Sequence, residues 1–241
     1  MADTITTING FTLDSYHADL VSYEVSQYDV SDNVIAVPFS VKPIPLKARV
    51  GPKRITLDLD FMDTSSNYRA AQNLSDFLNI LMSFNDYGQY IELYLRDGFY
   101  YTCCFEKASD PVTKAPWIEQ CSVTFVGFRH REKLTQSKTA STQGTIMYPH
   151  CDRESPIKIK VTPVNMPSSL TLTVAGQTIH FSGVSGYVEI DTLYATVRDA
   201  NGNAFAKCDI SEFPTYQGYT SVGWSTNTSS NVQMEILPVV M

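Results

Sequence analysis

A mostly β chain in two parts is what the sequence predicts, and three observations predict it. Its 241 residues suffice for one large β domain or two of roughly 100 residues each. Tyr and Phe are plentiful, at 14 and 12 copies, and both suit a pleated, half-buried surface. The second half is a regular series of short apolar runs with turn residues between them, while only one segment of the first half carries a helical period.

Taken in order, the first half opens with irregular β-type runs, Leu20 to Tyr28 and Val34 to Val41, followed by Pro43 and Pro45. From Ile55 to Phe61 the apolar residues Ile55, Leu57, Leu59 and Phe61 alternate with Thr56, Asp58 and Asp60, a strand with one buried face. Asp63-Thr64-Ser65-Ser66 offers helix N-cap residues. Leu74, Phe77, Leu78 and Leu81 then recur at i, i+3, i+4 and i+7, which predicts a helix over Tyr68 to Phe84. Gly88 stands where such a helix should stop.

Asp97-Gly98 joins two strand-like runs, Tyr90 to Arg96 and Phe99 to Glu106, and suits a two-residue hairpin turn. Pairing across that turn sets Leu95 opposite Tyr100, Leu93 opposite Thr102 and Ile91 opposite Cys104. Tyr90, Tyr94, Phe99, Tyr101 and Phe105 then share the other face. Both faces are apolar on this reading, so the hairpin needs cover from its own domain on one side and from a neighbouring subunit on the other. Those five residues are therefore the candidate subunit or partner interface. Ile118 to Phe128 alternates as a further strand, and Lys133 to Gly144, polar and Ser/Thr-rich, reads as a linker.

The resulting domains are 1–133, a linker 134–147, and a C-terminal β-sandwich over 148–241. In the last, the expected strands are Ile157 to Val161, Leu170 to Val174, Thr178 to Phe181, Tyr187 to Ile190, Leu193 to Val197, Ala204 to Cys208, Tyr219 to Trp224 and Val232 to Leu237.

The totals exclude several classes. A net charge of −7 argues against a basic nucleic-acid surface. Met1 to Ile8 lacks the pattern of a signal peptide, and no apolar run approaches the ~20 residues of a membrane helix. Five cysteines without a CxxC pair suit reduced thiols in a protein folded in cytoplasm, which makes the sequons at Asn73 and Asn227 chance matches.

No constellation carries catalytic or cofactor chemistry. Ser185 in Gly183-Val-Ser-Gly186 lacks the spacing of a nucleophile elbow. His17, His130, His150 and His180 lack metal-ligand spacing, and adjacent His150 and Cys151 point apart in an extended chain. Asp199-Ala-Asn201-Gly202 echoes a calcium loop, but the position of the bidentate glutamate falls on Ile210. Cys103 and Cys104 face opposite sides of a strand. Trp224, Tyr216 and Tyr219 are better read as core than as a sugar-stacking platform. The expectation is a non-enzyme without cofactor or metal.

The order of pieces resembles the distal tail protein of long-tailed, non-contractile phages. Its first half is similar in Ile8-Asn-Gly-Phe11, in Arg54-Ile-Thr-Leu-Asp-Leu-Asp-Phe61, in the helix and in the Tyr-rich hairpin. The closing run is more telling: Tyr187-Val-Glu-Ile-Asp191, Asp199-Ala-Asn-Gly202, Glu212-Phe-Pro214 and Gly218, with Thr220 where the family commonly has Asn. The resemblance implies an N-terminal β-sandwich or split-barrel-like domain with one helix and a hairpin, and a galectin-like C-terminal sandwich. It implies a hexameric ring, built by the first domain around the DNA exit channel, joining the tail tube to the tail-tip or lysin-bearing protein. The second domain would point outward and hold receptor-binding proteins; about 90 residues leave no room for an inserted carbohydrate module. The place implied is the virion tail tip, with synthesis in the host cytoplasm and no membrane or specific nucleic-acid binding. The acidic balance suits a channel lumen through which DNA slides. A tail tube subunit and a carbohydrate-binding adhesin are the alternatives.

Overall fold

The computed structural model describes residues 6–26, 30–31, 34–35, 44–45, 49–50, 52–63 and 67–240. It divides into two compact units, Met1–Arg129 and His130–Met241. The helix-start signal at residues 64–66 and most of the run from Val34 to Val41 lie outside the described residues.

The first unit opens with β1 (Thr7–Ile8) and β2 (Phe11–Thr12). Asn9 and Gly10 turn between them with φ of 51° and 79°, the left-handed pair that a tight hairpin of this hand requires. After β3 (Ala18–Val25) come four two-residue strands, β4 (Val30–Ser31), β5 (Val34–Ile35), β6 (Ile44–Pro45) and β7 (Arg49–Val50). These pair β4 with β7 and β5 with β6.

The main elements follow: β8 (Lys53–Met62), α1 (Asn67–Asp86), β9 (Ile91–Tyr94), β10 (Tyr100–Ala108), β11 (Val112–Ala115) and β12 (Ile118–His130). The sheet runs β2-β1-β9-β10-β12-β8-β3, with β11 on β12. The alternation read in β8 is what the fold uses, since Ile55, Leu57, Leu59 and Phe61 are all fully buried. α1 lies on the same face through Leu74, Phe77 and Leu81, with the Phe77 ring 5.3 Å from those of Phe61 and Tyr16. It ends as its glycine predicts. Gly88 adopts φ 62°, its N–H donates to Asn85 O, and Gln89 N–H reaches back to Phe84 O at 2.8 Å. Gly127 is required by close approach, because a Cβ there would stand 2.2 Å from the Thr102 carbonyl oxygen.

The hairpin corrects the expected register by one residue. Tyr100 pairs with Tyr94, Tyr101 with Leu93, Thr102 with Glu92 and Cys103 with Ile91. The loop is longer than the two residues expected. Leu95 N–H donates to Phe99 O, Gly98 N–H donates to Leu95 O, and Gly98 takes φ 82°. The shift regroups the faces. Ile91, Leu93, Leu95, Tyr101 and Cys103 are buried together, while Glu92, Tyr94, Tyr100 and Cys104 take the opposite side. One face is thus apolar and the other mixed, rather than both apolar.

The second unit begins with a correction. Residues 134–147, expected to be a linker, form strand β13 (Leu134–Ile146). Its Ser/Thr-rich run lacks alternation because it has a single strand neighbour and solvent on much of its surface. The rest are β14 (Cys151–Pro163), β15 (Ser169–Val174), β16 (Gln177–Ser182), β17 (Val188–Asp191), β18 (Thr196–Asp199), β19 (Gly202–Asn203), β20 (Thr215–Gly218) and β21 (Val222–Ile236).

The strand expected over Ala204 to Cys208 is instead a 3-10 turn at Phe205–Lys207, started by Asn203 Oδ1 accepting from Phe205 N–H. The two final strands expected are one. The polar run between them is held extended by Asn227 Oδ1, which accepts from Thr171 N–H, and by Asn231 Oδ1, which accepts from Ala140 N–H. β13 and β21 pair at both ends, Leu134–Lys138 with Val232–Ile236 and Gln143–Ile146 with Val222–Ser225, with register shifts on either side of Ser141, and serve two layers. One layer is β16-β15-β21-β13 and the other is β13-β21-β14-β17-β18-β19, with β20 on β14. Leu170, Leu172 and Phe181 from the first meet Ile159, Val188 and Met234 from the second in one core.

Candidate functional site: the outer sheet face of the first unit

The first unit's sheet has one face under α1, and its other face gathers charge. In β3, β8 and β12 the pairs Asp19↔Asp60, Ser22↔Asp58, Glu24↔Thr56 and Ser122↔Asp58 put these residues on the outer side. Glu106 belongs to the same side, for Arg54 on β8 reaches it at 3.2 Å. Glu92 joins them through its pairing with Thr102. Among the described residues the face therefore carries Asp19, Glu24, Asp58, Asp60, Glu92 and Glu106 against Arg54 and the rim residue Lys114, which lies 3.2 Å from Asp60. Asp58 is fixed by hydroxyl donors from both flanking strands, Ser122 and Ser22, and these bonds hold its carboxyl below the usual range. A carboxylate so held stays charged at neutral pH.

The five aromatic residues selected from the sequence are not brought together. Tyr94 is half-buried on the outer side, its ring 4.7 Å from that of Tyr100. Phe99, Tyr101 and Phe105 turn to the helix-covered side. The Arg129 guanidinium lies 4.3 Å above the Phe99 ring, and Phe105 meets Phe125 edge-on at 6.3 Å. Tyr101 is fully buried and donates to Asp97 Oδ2 at 2.6 Å; burial raises its pKa well above the ordinary phenol value. It cannot touch a partner while the unit is folded. Tyr90, half-buried, stands just before β9. Tyr100, which sequence reasoning passed over, shares the exposed side with Tyr94; the one-residue register error hid it.

Most of the chemical candidates have structural occupations. Asp199 is buried at the β18–β19 turn, where it accepts from Asn201 N–H, Ser185 N–H and Lys207 Nζ, the last at 2.6 Å. The Lys207 bond holds its carboxyl below the usual range. Ser185 thus belongs to a turn tied to Asp199. Cys103 is buried with its thiol pushed well up by desolvation, and Cys104 is exposed. Trp224 is buried, with Nε1 donating to Gln136 Oε1 at 3.2 Å, so it offers no stacking platform. Among the described residues no group of three His, Cys, Asp or Glu side chains is arranged to hold a metal ion. No helix among them is long and apolar enough to cross a membrane.

This fold of two β-rich units is similar to that of solved phage hub and baseplate proteins. The chain is similar over 98% of its length, and 99% of the other's, to the Dit protein (gp 19.1) of phage SPP1, described as a hub of the adsorption apparatus in phages infecting Gram-positive hosts, with a TM-score of 0.68 and 8% identity. It is also similar to the phage P2 baseplate in its activated conformation, in the calcium form at TM-score 0.60 and 11% identity and in the strontium form at 0.60 and 12%, in both cases over 94% of this chain and 92% of the other. No family model and no curated protein matches the sequence.

Proposed function

We propose that this chain is a structural, non-enzymatic hub of a phage tail tip, a virion component made in the host cytoplasm. Copies of its first unit close into a hexameric ring that joins the tail tube to the tail-tip or lysin-bearing protein around the DNA exit channel. Its second unit serves as the mounting surface for host-adsorption proteins. The likeness in fold to hub and baseplate proteins supports the class of role. The observation that carries the reading is the outer sheet face, which among the described residues sets six carboxylates against two cations on the side away from α1. Turned inward in a ring, that face repels phosphates spaced every ~1.7 Å of duplex axis, so DNA passes without being held. Tyr94 and Tyr100 stand toward the β9–β10 end of the sheet, away from Asp19, Asp58 and Asp60 on β3 and β8, and this reading assigns them to contact between subunits, since Tyr presents a large rigid surface at interfaces.

Immunogold labelling tests the assignment. Antibodies against the purified chain should mark a single spot at the distal end of the tail in particles that encode it. Label distributed along the tail shaft makes it a tube subunit instead, and absence from particles refutes a virion role.

A further inference from the structure

A stretch of the second unit's surface carries no charge. From Thr139 to Cys151 and from Phe213 to Met234 there is no Asp, Glu, Lys or Arg, in a chain that is 18% charged. The fold lays these two runs against each other. Ile146 pairs with Val222 and Cys151 with Gly218, so the connections 147–150 and 219–221 run side by side. Large side chains stand out there, with Met147 58% exposed, Tyr148 59% and Tyr219 58%. Tyr219, expected in the core from sequence, thus lies outside it. The patch is held in shape. Tyr148 and His150 take left-handed φ values of 48° and 52° on either side of buried Pro149, a conformation that strains any residue but glycine and persists only where its surroundings impose it. The Tyr219 hydroxyl donates to Asp152 Oδ1, and its ring meets that of His150 edge-on at 6.0 Å. Charge returns at the border, with Asp152 itself and with Arg131, which lies within electrostatic reach of that hydroxyl.

We propose that Met147, Tyr148, His150 and Tyr219 form a docking surface for a different protein of the same particle, one that meets them with apolar and aromatic side chains and neutral hydrogen-bonding groups. The inference rests on the hub reading and names a surface for it. Two tyrosines and a soft, adaptable methionine, free of charge and rimmed by the exposed hydroxyls of Thr145, Thr220 and Ser221, have the composition of an interface core with a polar rim. Their fixed backbone lowers the cost of ordering them on contact. Area decides against a second copy of this chain as the occupant. A fully buried tyrosine covers about 150–250 Å2, so the patch offers on the order of 400 Å2 per chain. Two copies meeting there would cover on the order of 800 Å2, short of the ~1,200–2,000 Å2 of a stable pair. Widening that contact would bring together two chains that each carry a net charge of −7. A protein with a different surface escapes that limit.

Hydroxyl-radical footprinting of the purified chain and of intact particles tests whether the patch is covered. Met147, Tyr148 and Tyr219 should be oxidised in the purified chain and several-fold less in particles. Met166 and Tyr194, exposed elsewhere on the same unit, should react alike in both. Particles carrying the photo-crosslinker p-benzoylphenylalanine in place of Tyr148 then identify the occupant by mass spectrometry. The expected product joins position 148 to an apolar, aromatic-containing segment of another particle protein. Equal oxidation of the patch in particles overturns the proposal, as does protection already present in the purified chain. So does a crosslink only to a second copy, to a strongly charged segment, or to nothing. Immunogold labelling separates the two levels: label at the tail tip with an unprotected patch overturns this inference alone, whereas absence of the chain from particles removes the hub role and this inference with it.

Discussion

Replacing Tyr101 by Ser should unfold the first unit under conditions where replacing Tyr94 by Ser leaves it intact. Tyr101 is 0% exposed, its ring lies within the core of the first unit, and its hydroxyl donates to Asp97 at 2.6 Å. Deleting a buried aromatic ring costs about 3–5 kcal/mol, and the lost hydrogen bond adds about 1 kcal/mol. Set against the roughly 5–15 kcal/mol that holds a domain together, the loss leaves the unit marginal. Tyr101→Phe keeps the ring and should cost only about 1 kcal/mol. Tyr94 is half-buried and loses mainly its packing against Tyr100, worth about 0.5–1.5 kcal/mol. Urea unfolding followed by circular dichroism measures all three, with unchanged slopes required for the comparison. Equal losses for Tyr94→Ser and Tyr101→Ser would refute the register, since only a two-residue turn places both rings on one face.

Three further outcomes follow from the same physics. Gly127→Ala should destabilise the first unit by about 1–3 kcal/mol or more, seen as a lower urea midpoint, because its Cβ meets the backbone of β10 and no flexible side chain can yield. His130 is buried with its Nδ1 2.8 Å from Arg131 O, and burial lowers its pKa to about 4. The unfolded chain takes up a proton near pH 6.5 while the folded chain does not. Stability of the second unit should therefore be constant above that pH and fall by about 3 kcal/mol between pH 6.5 and 4, a loss that His130→Gln flattens in pH-dependent melting. Asp58→Lys with Asp60→Lys should make a chain that does not retard duplex DNA in a low-salt gel shift begin to do so, with retention lost as salt rises; an unchanged gel contradicts the electrostatic reading of that face.

Much of this fold was legible because single strands and single turns announce themselves. The alternation of Ile55 to Phe61, the stripe of Leu74, Phe77 and Leu81, and the stops at Gly88 and Asn9-Gly10 are local signals, and each survives into three dimensions. What failed was relational. Asp97-Gly98 marks a hairpin but leaves the loop length open, and one residue of register decides whether Tyr101 faces solvent or core. β13 was invisible because an edge strand with a single neighbour carries no alternation, so Ser and Thr read as linker. The acidic face was hidden for a different reason. Asp19, Asp58, Asp60 and Glu106 are scattered in sequence, and only the strand order β10-β12-β8-β3 makes them neighbours.

Negative-stain electron microscopy of the purified chain bears most directly on the central claim. The account predicts closed six-fold rings with a central opening, disrupted when Tyr94 and Tyr100 are both replaced by Ser in chains that remain folded. Monomers at every concentration tried, or open-ended stacked tubes, would contradict it.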